Sequence, residues 1–293
     1  MANLKEIRTR ITSVKTTRQV TSAMKMVSAA KLKKAQDAIF QIRPYANKLS
    51  GLLSTLGSIL ENEGDSAYTV QRSAEKVMMV VISSNRGLCG GFNANITKKA
   101  ISLAKSTYQR QWKAGKLDFM VIGKQGEKIL RSYHFNPNMG HNELFDHLNF
   151  DNVSVIAQQL MDSFTSGQYD RIELVYNNFI NAASQEQLSE QFLPVVPVKA
   201  ERNGASRVDY IYEPSLEDIV EKLIPRSLKI QFYKALLNSH AAEHGARMTA
   251  MHKATDNATD LINELTLTFN KARQAAITNA ILEVTNGAEA LNG

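Results

Sequence analysis

The chain has 293 residues, is 43% hydrophobic and carries a formal charge of +7. Its single cysteine, Cys89, leaves no intrachain disulfide to form, which excludes a disulfide-stapled secreted scaffold and fits a reducing cytoplasm. The start, MANLKEIRTR, lacks the apolar core of a signal peptide, and no stretch reaches the ~18 uncharged apolar residues of a membrane span.

Helix breakers are distributed unevenly. All six prolines and 12 of the 15 glycines lie between Pro44 and Pro225. Residues 1–43 contain neither Gly nor Pro, and residues 226–286 contain only Gly245. This predicts a long helix at each end, the longer about 90 Å at 1.5 Å rise per residue. In the first, Leu4, Ile7, Ile11 and Val14 step by three, four and three, an a/d seam. Met24, Val27, Ala35, Ala38, Ile42, Tyr45 and Leu49 continue it with phase slips, which predict an irregular, curved coil. Charge gathers here too. Residues 1–60 hold 11 Lys or Arg against Glu6 and Asp37, whereas residues 214–293 hold eight against nine acids. A basic helical arm fits nucleic acid, an anionic surface or an acidic protein. Phe40 is the only aromatic before Tyr45, so the interleaving of a single-strand binder is missing.

The middle reads as α/β. Residues 61–73 and 199–207 look like exposed connections. Strands are expected over Val77–Ile82, Leu117–Ile122, Arg171–Asn177 and Gln187–Val198, with Asp209–Tyr212 as a further one. Helical pattern runs from the turn at Gly91 to about Trp112, then over Glu127–Tyr133 and Val153–Phe164. This alternation predicts a parallel or mixed sheet covered by helices. At the far end Leu236, Leu237, Met248, Met251, Leu261, Leu265, Phe269, Ala272, Ala276, Ile281 and Val284 keep helical spacing. The apolar stripe at each end needs a partner, and the simplest one is the other end of the chain, in an antiparallel coiled coil. Equal rise along both helices predicts that residues near 10 neighbour those near 275, and residues near 40 those near 240. The expected organisation is therefore an N-terminal coiled-coil helix over 1–60, a Rossmann-like α/β domain over 61–208 and a C-terminal coiled-coil helix over 209–293.

Three fragments imitate active sites. Gly87-Leu-Cys-Gly-Gly91 joins a strand to a helix, as phosphate loops do, but lacks GxGxxG spacing; a tight turn explains its glycines equally well. His240-Ala-Ala-Glu243-His244 has the HxxEH spacing of one metalloprotease class, without an evident third ligand. Cys89 has no His/Asn framework around it. No catalytic constellation, cofactor site or metal site follows.

Several stretches, in order along nearly the whole chain, resemble the gamma subunit of the F-type ATP synthase. They are Ile7–Thr12, Thr21–Lys31, Lys34–Asp37, Asn85–Asn93, Tyr212–Ser215, Glu243–Met251 with Ala254–Ala258, and Arg273–Thr278 leading to Glu283, Gly287 and Ala288. The chain departs from the family's pattern at Ser22, Gly245 and Ala280, where Lys, Ala and Glu are usual, and at His240 and His244. The resemblance implies a non-catalytic rotor shaft. Its paired helices would stand inside a ring of alpha and beta subunits. Its central domain would sit by the epsilon subunit and the c-ring, peripherally on the cytoplasmic face of a bacterial inner membrane. It further implies catch contacts at Arg247, Gln274 and Thr278, and basic contacts to the beta subunits from Lys25, Lys31, Lys33 and Lys34. The competing readings are a cytoplasmic coiled-coil adaptor, a basic nucleic-acid-binding arm, and a small α/β enzyme using the glycine turn.

Overall fold

The computed structural model describes residues 4–63, 67–137, 139–195 and 216–292. The expected strand over Asp209–Tyr212, the connection over 199–207 and the Tyr212–Ser215 motif fall outside them. The fold is mixed α/β, with a helix at each end, α1 (Leu4–Glu63) and α6 (Leu216–Asn292). Two compact units divide the chain, one of residues 1–29 and 247–293, the other of residues 30–246. Each long helix contributes to both, so these divisions fall within helices rather than at the connections.

In the first unit the two helices pair antiparallel. The Arg8 guanidinium lies 5.6 Å from the centre of the Phe269 ring, the Thr21 and Thr255 hydroxyls are 2.8 Å apart, and Lys25 Nζ is 3.3 Å from His252 Nδ1. These contacts correct the expected register. With Arg8 opposite Phe269, residue 10 lies opposite about residue 267 rather than 275, roughly two helical turns away. The assumption at fault was that the two helices end together; α6 runs on past the start of α1.

The phase slips are also overturned. The covered positions of α1 in this unit include 4, 7, 11, 14, 18, 21, 25 and 28, in unbroken steps of three and four, with Ser22, Met24 and Ala29 half-buried beside them. Thr21 and Ser28 are buried, and Arg18 and Lys25 half-buried, so polar residues hold the seam where an apolar pattern breaks off. Val27, assigned to the seam, is 58% exposed. Facing it, Met251, Thr255, Ala258, Ile262, Leu265, Phe269 and Ala272 keep the same spacing on α6. A sustained 3.5-residue period is that of a left-handed coiled coil.

The second unit holds the sheet. Its strands are β1 (Val77–Ile82), β2 (Leu117–Ile122), β3 (Met139–Gly140), β4 (Arg171–Asn181) and β5 (Ser184–Leu193). They lie in the order β3-β2-β1-β4-β5, parallel except for the β4–β5 hairpin. Helices α2 (Phe92–Lys105), α3 (Gln109–Lys113), α4 (Lys124–Ser132) and α5 (Phe150–Thr165) connect them. Every residue of β1 is buried, and alternate side chains feed opposite faces. Val77, Met79 and Val81 pack with Ile96, Ala100 and Ala104 of α2 and Leu130 of α4. Met78, Val80 and Ile82 pack with Ile156, Leu160 and Phe164 of α5 and with Leu228 and Phe232 of α6. One helical layer, α2–α3–α4, thus covers one face, while α5 and part of α6 cover the other.

Several elements differ from expectation. The helix expected to reach Trp112 breaks at residues 106–108. Ser106 donates back to the Ser102 carbonyl (2.7 Å), and Tyr108 turns inward to donate to Glu173 Oε1 (2.6 Å). The strand expected over Gln187–Val198 starts at Ser184 and ends at Leu193. Its turn, Ala182-Ala183, has no Gly or Pro; Asn181 makes it by accepting from the Ala183 N–H (3.0 Å). β3, at two residues, is too short to show a periodicity.

Candidate partner-contact surface

The glycine turn is closed on itself. Asn93 Oδ1 accepts from the Ser84 N–H (3.0 Å), and Asn93 Nδ2 donates to Ser84 Oγ (2.8 Å) and to Cys89 Sγ (3.2 Å). Cys89 is buried against Phe92 and Ala242, and Gly90 has φ 58°. The motif residues therefore hold a tight strand-to-helix turn, the structural of its two readings. His240 and His244 lie with their Nε2 atoms 3.2 Å apart, His240 stacked on Phe145. Among the described residues no group of three or more His, Cys, Asp or Glu could hold a metal ion.

What the chain leaves uncovered is the end of α6. Leu4 is the first described residue of α1 and, in the observed register, lies opposite about residue 273. Every residue from Arg273 to Ala290 is exposed. This overhang is about 26 Å long at 1.5 Å per residue. It carries Ile277, Ile281 (60% exposed), Leu282 and Val284 (73%), with small residues at Ala275, Ala276 and Ala280. From Gln274 to Ala290 only Glu283 and Glu289 are charged. A helix with apolar side chains and few charges open to water is a docking surface, since that area gains free energy only against a partner.

The singled-out residues do not form one site. Gln274 and Thr278 are exposed on the overhang, one turn apart. Arg247 is on the same helix but 5% exposed, and the 27 residues to Gln274 place it about 40 Å away. The three catch residues that the resemblance implies are therefore not neighbours, and Arg247 lies away from the exposed end of α6. Lys31, Lys33 and Lys34 are exposed on α1 and Lys25 is half-buried; Lys33 makes an exposed ion pair with Asp37 (2.8 Å). Sequence reasoning missed Val20 and Met26, which are exposed beside Val27 on the outer side of α1. Their offset from the a/d positions is the signal that marks them. Among the described residues no helix is long and apolar enough to cross a membrane.

A mostly parallel α/β unit, carried on one chain with an antiparallel coiled-coil pair whose apolar end is uncovered, defines a stalk-type subunit of a larger assembly. A family model described as ATP synthase matches residues 3–291. The chain is 60% identical to the ATP synthase gamma chain of Flavobacterium johnsoniae and 49% identical to that of Cytophaga hutchinsonii, each over the whole of both chains. In fold it resembles a chain of the Euglena gracilis mitochondrial ATP synthase rotor, with a TM-score of 0.63 at 19% identity, over 94% of this chain and 98% of that one. It likewise resembles a chain from the central stalk and c-ring of the Tetrahymena thermophila mitochondrial ATP synthase, with a TM-score of 0.57 at 24% identity, over 80% and 99%. The chain belongs to the ATP synthase gamma-chain family. It is a subunit of an enzyme complex, and the adaptor, nucleic-acid and small-enzyme readings give way.

Proposed function

We propose that this chain is the turning shaft of its ATP synthase and has no catalytic site of its own. Its coiled-coil end stands within a sleeve of alpha and beta subunits. Its α/β domain meets the epsilon subunit and the c-ring, peripherally on the cytoplasmic face of a bacterial inner membrane. The observation that carries this reading is the overhang of residues 274–290, apolar, nearly uncharged and uncovered. A shaft that turns in a sleeve needs contacts that exclude water yet hold no single angle. Small and aliphatic side chains supply nondirectional burial, whereas several fixed ion pairs would trap one orientation.

Gln274 and Thr278, two of the polar groups of that surface, are the proposed catch contacts. Arg247 belongs to the proposal as a buried side chain whose removal acts on local packing as well as on any partner. Lys31, Lys33 and Lys34, with Lys25 more weakly because it faces His252, offer positive charge to acidic beta-subunit segments. The test is proton-driven ATP synthesis in reconstituted vesicles, normalised to intact complex. Ile281→Asp with Val284→Asp should lower synthesis several-fold or block assembly, because each buried charge must be desolvated. Full synthesis by that variant would overturn the sleeve placement.

A further inference from the structure

The α/β unit is electrically divided in a way its net charge hides. Residues 92–133 hold nine Lys or Arg against Asp118 and Glu127, a balance of +7. Residues 134–195 hold eight Asp or Glu against Arg171 alone, a balance of −7. The first segment is the α2–α3–α4 layer with β2, so the positive charge collects over one face of the sheet. On α2 the exposed positions 95, 98, 99, 102 and 105 recur at helical spacing and form its solvent side. Lys98, Lys99 and Lys105 lie there, and α4 adds exposed Lys124 and Lys128. The layer's internal acid, Glu127, is engaged by Arg131 (3.0 Å), which leaves these lysines in net excess.

Aromatic rings sit in the same layer. Trp112, the chain's one tryptophan, is 37% exposed, and its ring stacks on buried Phe135 (5.5 Å). Lys105 Nζ lies 5.8 Å from the Trp112 ring centre. Tyr133, two residues before Phe135, is also exposed. The core thus anchors the indole, whose ring stays partly open to solvent beside Lys105. A basic helical face bearing exposed Trp and Tyr has the chemistry of a bilayer interface. Lysines reach phosphate while aromatic rings settle at headgroup depth.

We propose that the α2–α3–α4 face docks on anionic phospholipid headgroups. This does not depend on the shaft reading, though the two are compatible. Long lysines on a fluid bilayer hold no fixed partner, so a turning part can slide over it. A polynucleotide or an acidic protein segment offers the same charge, but neither gives the exposed indole an apolar layer to enter.

Trp112 makes the test direct. The full chain is mixed with vesicles of phosphatidylglycerol and phosphatidylcholine in equal parts, then with phosphatidylcholine alone, and tryptophan emission is followed. Emission should shift to the blue and be quenched by lipids brominated high on the acyl chain, with the mixed vesicles only. Partitioning should fall at least about tenfold between roughly 50 and 500 mM salt, as screening predicts. Lys98→Glu, Lys99→Glu, Lys124→Glu and Lys128→Glu together should weaken it at least as much, with the melting temperature held. Lys31→Gln, Lys33→Gln and Lys34→Gln should leave the quenching intact, since the helical arm is a separate source of charge. Unquenched Trp112 on bound vesicles would mean that the arm alone binds, and would overturn the proposal. So would oligonucleotide or acidic-peptide binding lost in the lysine variant while wild-type chain ignores vesicles. If the four-lysine variant fails to fold, the salt and bromolipid results on the wild-type chain decide.

Discussion

At the scale of single residues, backbone approach separates glycines that look alike in the sequence. A Cβ on Gly126 would stand 2.5 Å from Ser83 Oγ, the atom that accepts from the Gly126 N–H (3.0 Å). Ser83 itself donates to the Gly123 carbonyl (3.0 Å), so this contact ties the end of β1 to the start of α4. Gly87 has open space around its Cβ position and no positive φ. Gly126→Ala should therefore destabilise the chain by about 2 kcal/mol or more, as overpacking does. Gly87→Ala should fall within about 0.5 kcal/mol of wild type. Chemical denaturation of the two variants checks the contrast. Arg247 gives a second test at this scale. Arg247→Ala should lower the stability of the isolated chain by about 1.5–3 kcal/mol, through loss of a buried charged donor, while exposed Thr278→Ala leaves it unchanged. Equal melting temperatures would show that the buried guanidinium contributes nothing to the fold.

At the scale of elements, polar groups do structural work that their chemistry alone does not announce. Glu173, buried in β4, receives Tyr108 (2.6 Å), Arg171 Nε (3.0 Å) and Ser189 Oγ (2.9 Å). Tyr108→Phe removes one donor from a buried carboxylate and should cost about 1.5–3 kcal/mol. In the coiled-coil seam Thr21 and Thr255 face each other, and each also bonds its own helix, to the Arg18 and Met251 carbonyls (3.0 and 2.7 Å). Thr21→Val with Thr255→Val replaces both partners by groups of the same shape. The double variant should match or exceed wild-type stability, whereas each single one leaves a hydroxyl against a methyl. A double-mutant cycle measured by thermal unfolding should show that non-additivity.

For the whole molecule, the titration of buried tyrosines sets an alkaline limit. Burial first, and then the carboxylates of Glu173, Asp118 and Glu190, raise the hydroxyl pKa values of Tyr108, Tyr169 and Tyr176 above the usual 10. An unfolded tyrosine ionises near pH 10, so the unfolded state releases its proton first. Stability from these groups is therefore complete below about pH 10 and lost as the pH rises beyond it. His141 acts at the other limit. Burial lowers its pKa, so it favours the folded state above about pH 6.5 and loses that contribution as the pH falls. Melting temperatures across this range should form a plateau between the two limits. For Tyr176→Phe the alkaline fall should be shallower, and an unchanged fall would exclude that tyrosine.

The sequence by itself determined the α/β centre, the two terminal helices and the family. Strand β1, buried on both faces, reads as an unbroken apolar run, and the absence of Gly and Pro at the ends is a backbone property that needs no partner. It misjudged the seam, because heptad positions held by Thr21, Lys25 and Ser28 look like slips to an apolar count. Only the tertiary pairing showed that they face the partner helix. Register was beyond sequence reach, since sliding two helices by two turns keeps a repeating stripe in contact. The contacts of Arg8 with Phe269 and Thr21 with Thr255 fixed it, and with it which residues remain uncovered. Ile281 and Val284 have the same spacing and chemistry as Ile11 and Val14; they are exposed because the described part of α1 begins at Leu4, opposite about residue 273.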